Sequence, residues 1–151
     1  MRCIYLCLLA FVLPSCFLFP KFKKEQLSFS EDGVQKNYAV IVPKGYHKKE
    51  KLSGATGNEE FFYHYPGGSV LYFARVKDTG FQYQPINYEV NQPVTMFNSV
   101  FFKGIDSSHK HYWRESRASQ YKAGYRKAET GEEWRFDSAL NYFTLRLPLN
   151  Q

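Results

Sequence analysis

Beyond residue 16 the chain has no cysteine: Cys3, Cys7 and Cys16 are all it contains. A domain that follows them has no internal disulfide, no thiol nucleophile and no cysteine-ligated zinc. Its stability must come from its core, and 151 residues are enough to build one without staples. A long apolar run is also missing. The leading one, Cys3 to Leu13, covers 11 residues, too few to span a bilayer. No serine sits in a Gly-x-Ser-x-Gly elbow, and Gly67-Gly68 is not followed by the helix that a phosphate loop needs. Acidic pairs occur at Glu31-Asp32, Glu59-Glu60 and Glu132-Glu133, none patterned as an acid/base dyad. His109-x-His111 is the one spacing that suggests metal, since both rings leave a strand on one side. A third ligand would have to come from His47, His64 or Asp106, and nothing in the spacing supplies it. The reading is therefore of no metal, no cofactor and no enzyme. Internal repeats and low-complexity tracts are absent as well.

What the chain does have is aromatic side chains, 19% of residues, which favour strands. It also has a formal charge of +6. That excess suits anionic surroundings such as phospholipid or polysaccharide and is too small and scattered for nucleic acid.

The N-terminus reads as a leader. Arg2 supplies a short positive region, and Cys3 to Leu13 is as long as the apolar core of a signal peptide. Leu13-Pro14-Ser15-Cys16 then resembles the lipobox of small bacterial envelope lipoproteins, with Pro14 in a place more often taken by Ala, Ser or Gly. The resemblance implies cleavage before Cys16, a diacylglycerol on its thiol and acylation of the new amino group; the other readings are an uncleaved anchor over Cys3 to Phe19 and an ordinary secretory signal cut nearby. Several acyl chains hold a protein at a membrane where one would not. It further implies a periplasm-facing outer-membrane location, because Phe17 and its neighbours include no sorting aspartate or acidic cluster. The organisation expected is a signal peptide over 1–15, a lipidated tether over 16–26 and one domain over 27–151. In the tether, Leu18, Phe19 and Phe22 either rest in the membrane interface beside Lys21, Lys23 and Lys24 or begin the folded core.

Along the domain, Lys36 to Pro43 predicts a central strand from its nearly continuous apolar character. His47 to Glu60 is polar and reads as a loop whose lysines are solvated. Phe61 to Tyr65 and Ser69 to Val76 flank Pro66-Gly67-Gly68, the clearest hairpin in the chain. Ile86 to Val90 predicts a short edge strand and Thr95 to Phe102 another strand. Lys110 to Arg117 and Gln120 to Ala128 predict a second hairpin, with Gly124 marking a bulge or a close neighbour. Thr130 to Glu133 reads as a capping box, followed by Phe136, Ala139, Leu140 and Phe143 at helical spacing. The fold class is α+β: an antiparallel meander of five to seven strands with one C-terminal helix packed on a face. VIVPKGY near the start and FDSALNYF near the end are faintly similar to the PsbP/Mog1-like fold, which implies such an architecture and no activity.

The basic and aromatic strip from Tyr112 to Lys127 offers Trp113, Arg114, Arg117, Tyr121 and Arg126 as candidate ligand-binding residues. Aromatic faces beside arginines stack on sugars or clasp anionic headgroups. The other reading is a hairpin with aromatics inward and cations outward. The function expected is a membrane-anchored, non-enzymatic envelope lipoprotein that binds another envelope protein. A carbohydrate- or anionic-lipid-binding module is the alternative.

Overall fold

The computed structural model describes residues 21–54, 57–76, 94–96, 99–106 and 110–147. Among them are nine strands and one helix: β1 (Phe22–Glu31), β2 (Val34–Pro43), β3 (Lys48–Ser53), β4 (Glu59–His64), β5 (Val70–Arg75), β6 (Val94–Met96), β7 (Ser99–Ile105), β8 (His111–Ala118), β9 (Tyr121–Glu129) and α1 (Glu133–Thr144). The architecture is α+β, as the sequence implies. Seven strands form one antiparallel sheet in the order β3-β4-β5-β9-β8-β7-β6, and β1 and β2 pair only with each other. The large sheet is two meanders, β3 to β5 and β6 to β9, joined where β5 pairs β9.

The β1–β2 hairpin and α1 share a second layer on one face of that sheet. Phe29 of β1 meets Phe61 of β4 and Tyr121 of β9 at ring distances of 5.3 and 5.7 Å. Phe136 of α1 meets Tyr125 of β9 at 5.3 Å, and Phe143 meets Tyr38 of β2 at 6.4 Å. Between the layers Leu27, Phe29, Val40, Val42, Leu71, Phe73, Tyr125, Leu140 and Phe143 are buried. Period-two alternation puts them there: Glu59, Phe61 and Tyr63 of β4 are buried while Glu60, Phe62 and His64 are only half so. In mid-sheet the opposite face is buried as well, at Tyr72, Glu115 and Lys122.

Several expectations meet corrections. Lys36 to Pro43 does form β2, but in a two-stranded ribbon with α1 alongside, not at the centre of a sheet. Its apolar run is explained by packing on β1, α1 and the sheet beneath. β1 starts at Phe22, so the last five residues assigned to the tether, Phe22 to Gln26, are strand. Lys48–Ser53, expected within a polar loop, is an edge strand; its charge follows from lying outermost, where lysines discourage further pairing. The stretch from Thr95 to Phe102 contributes to two strands, β6 and β7. Ile86 to Val90, Leu18 and Phe19 lie outside the described residues. The helix has the expected buried stripe, Phe136, Ala139, Leu140 and Phe143. The capping box does not form: the N-cap is Glu132, with no side-chain hydrogen bond, and Thr130 stands before it. Gly131, at φ +86°, turns the chain there in a way that takes Thr130 out of register with the helix start.

Gly124 has the close neighbour its position suggests. A Cβ there would stand 2.4 Å from the Tyr72 hydroxyl and 2.6 Å from the Arg114 carbonyl oxygen. The absent side chain lets Tyr72 reach across β9 and donate to Glu115 Oε2 at 3.1 Å.

Three carboxylates pin the ribbon. Glu31 Oε1 accepts from the Tyr38 hydroxyl at 2.7 Å and from the Tyr121 hydroxyl, and Lys36 Nζ lies 2.7 Å from Oε2. Glu59 Oε2 accepts the Ser30 amide while Oε1 holds Lys51 at 2.9 Å. Glu25 takes Lys23 and Lys49, each at 2.7 Å, and the Tyr46 hydroxyl at 2.8 Å. Burial alone would raise the Glu25 carboxyl, but these three donors outweigh it and hold the pKa down at about 2. Glu31 is lowered by the same balance, burial opposed by Lys36, Tyr121 and Tyr38.

Candidate functional site

At the open end of the β1–β2 ribbon three chain reversals converge on a cleft of about 510 Å³. Lys44 and Gly45 follow β2, Tyr65 to Ser69 form the β4–β5 turn, and Glu129, Glu132, Arg135 and Phe136 come from the end of β9 and the start of α1. The β4–β5 turn is tight because Gly67 and Gly68 adopt φ of +77° and +85°, open to glycine at little cost. A Cβ on Gly67 would meet Glu129 Oε1 at 3.0 Å, so the turn also presses close to the end of β9. Tyr65 and Phe136 form the aromatic floor, edge to face at 5.2 Å. The Tyr65 hydroxyl donates to the Pro43 carbonyl at 2.9 Å, which fixes the ring.

The wall is Arg135. Its Nη2 donates to the Lys44 carbonyl at 2.8 Å and its Nη1 to Glu132 Oε2. Its Nε is buried and has no hydrogen-bond partner among the described residues. Lys44 and Arg135 face Glu129 and Glu132, so the cleft carries both signs of charge. Its hydroxyls are committed: Ser69 Oγ donates to the Lys127 carbonyl at 2.7 Å, and burial pushes the Tyr65 pKa far above its ordinary value. A tyrosine held un-ionised is a fixed donor, not a base. What the arrangement leaves open at its rim is charge of both signs, exposed Lys44 and Glu129, which suits a mixed-charge segment.

The strip picked out in the sequence is not one surface. Trp113 is buried at a β-bulge between Tyr112 and Arg114. Arg114 lies under α1, where its guanidinium reaches Asp137 and Asn141, each at 2.9 Å, and Ser116 at 3.2 Å. It also stacks 4.0 Å from the Phe101 ring centroid. Tyr121 is buried on Glu31, while Arg117 belongs to the opposite face and Arg126 is exposed. Alternation along β8 and β9 divides the group, and Arg114 fastens the helix. Cys16 and His109 lie outside the described residues. His111 Nδ1 pairs with Asp106 Oδ2 at 2.9 Å, and no cluster of three metal-ligating side chains occurs among the described residues.

Sequence reasoning missed the cleft. Arg135 and Glu132 are legible as an i, i+3 pair, but the Lys44 carbonyl lies 91 residues away in the chain. Comparison with protein-family models, with curated proteins and with solved structures finds no match to this chain.

Proposed function

We propose that this chain is a lipid-anchored protein of a bacterial envelope. Its folded domain binds another envelope protein and catalyses no reaction. The observation that carries this reading is the 11-residue apolar run closed by Leu13-Pro14-Ser15-Cys16. The first strand begins six residues after Cys16, so an acylated cysteine would hold the domain by the open end of its ribbon. The cleft at that end supports a binding role, since exposed Lys44 and Glu129 offer both signs of charge beside an aromatic floor that internal hydrogen bonds hold in place. The alternative, a sugar- or anionic-lipid-binding module built on the Tyr112 to Lys127 strip, loses its main support because the strip is divided between two faces of the sheet.

The test is the intact mass of the N-terminal peptide from full-length protein made in a Gram-negative host and extracted with detergent. A peptide that starts at Cys16 and carries acyl chains is the expected result, with Cys16→Ser moving the protein out of the membrane fraction. An unmodified Cys16 in an uncut chain would overturn the reading. Crosslinking in cells should then capture one envelope protein, and Arg135→Glu should reduce its yield several-fold. Undiminished capture would remove the cleft from the proposal.

A further inference from the structure

The same end of the molecule carries a second feature. Trp134, in the first turn of α1, is 42% exposed. Phe22, the first residue of β1, meets its ring edge to face at 6.2 Å, and Lys21 Nζ sits 4.7 Å from the ring centroid. The Lys44 amide donates to the Lys21 carbonyl at 2.9 Å, which closes the ribbon and sets Lys44 next to Lys21. Lys21, Lys24 and Lys44 are all exposed. Of the acids nearby, Glu132 pairs with Arg135 and Glu133 is half-buried, while Glu129 is exposed on the far side of the cleft, beside the Gly67 turn. Among the described residues the other exposed large apolar side chains, Val34, Leu52 and Leu145, sit elsewhere: at the ribbon turn, on edge strand β3 and just after α1.

We infer that Trp134, Phe22, Lys21 and Lys44 form a membrane-resting face that seats the domain on the anionic phospholipid surface into which its own lipid is inserted. The inference rests on the lipid anchor proposed above. Chain length is the constraint. Cys16 and Lys21 are five residues apart, so a fully extended tether spans at most about 18 Å. With Cys16 held at headgroup level, Lys21 can stand no farther away than that. An aromatic ring with an apolar body and a polar N–H prefers that zone, and flanking lysines gain from anionic headgroups within a Debye length of about 8–10 Å. The surface is small, so it orients an anchored domain without having to bind membranes by itself.

The experiment uses the full-length protein, its Cys16 acylation first established by mass, reconstituted in vesicles of phosphatidylcholine with 30% phosphatidylglycerol. The lipids are brominated near the headgroup, and tryptophan quenching is compared between wild type and Trp134→Phe. Trp113 is buried and supplies a common background. The expected result is quenching in wild type that falls at least twofold in Trp134→Phe. It should also weaken in wild type when phosphatidylglycerol is left out. Acylated protein quenched equally with and without Trp134 would overturn the membrane-resting face and leave the anchor standing. Protein without acyl chains would overturn the anchor, and the orientation with it.

Discussion

The two ends of the β1–β2 ribbon meet the rest of the molecule in opposite ways. At the turn end, Glu31 is 5% exposed and saturated by Tyr38, Tyr121 and Lys36, with Phe29 wedged next to it against Phe61. At the strand-terminus end, Arg135 and Lys44 border an open cleft and Trp134 faces solvent. One end spends its polar groups on itself. The other leaves the Lys44 side chain and an indole open to solvent. Both are built from the same kinds of residue, so what separates them is how completely the partners enclose one another.

The comparison breaks most visibly at Phe29. Phe29→Ala should destabilise the fold by about 3–5 kcal/mol, because it empties a site with rings on three sides. Urea unfolding followed by tyrosine and tryptophan fluorescence measures it, and a loss below about 1 kcal/mol would mean the ribbon is not seated as described. Glu31→Gln comes next, at about 1–3 kcal/mol, since it removes the Lys36 pair and turns the acceptor of the two buried hydroxyls from a charged into a neutral oxygen.

Acid sensitivity sharpens the same contrast. Glu25 and Glu31 are both more acidic folded than their ordinary 4.5, so the folded state holds fewer protons than the unfolded one. Their contribution is intact above about pH 4.5 and drains as pH falls, for Glu25 down to about 2. Melting temperature against pH should therefore drop through this window in wild type. Glu31→Gln and Glu25→Gln should each flatten part of the drop, and an unchanged slope in both would show that these carboxylates do not govern it. The smallest effect belongs to the open end. Arg135→Ala should cost under about 1 kcal/mol by the same urea measurement, because its side chain is partly solvated and its ion pair with Glu132 lies near the surface.

Much of the fold was legible where local chemistry and final position agree. The β4–β5 hairpin followed from Gly67-Gly68, the β8–β9 pair from alternation, and the helix stripe from Phe136, Ala139, Leu140 and Phe143. β3 was not legible, because a run such as Lys48-Lys49-Glu50-Lys51 pairs only when β4 offers it an edge. Arg114 looked like a ligand-binding cation because nothing local says that Asp137 and Asn141 will sit over it.

By itself the sequence determined an aromatic strand-rich domain free of internal disulfides, one amphipathic helix, and an apolar run closed by Leu13-Pro14-Ser15-Cys16. These depend on residue type and near spacing, which act over a few bonds. Only the tertiary structure decided that β1 and β2 leave the main sheet to lie beside the helix, that the basic strip is split across two faces, and that Lys21, Lys44, Trp134 and Arg135 gather at one end. Those outcomes turn on which surfaces bury each other across scores of residues, and a contact closed by the whole fold leaves no local periodicity to read.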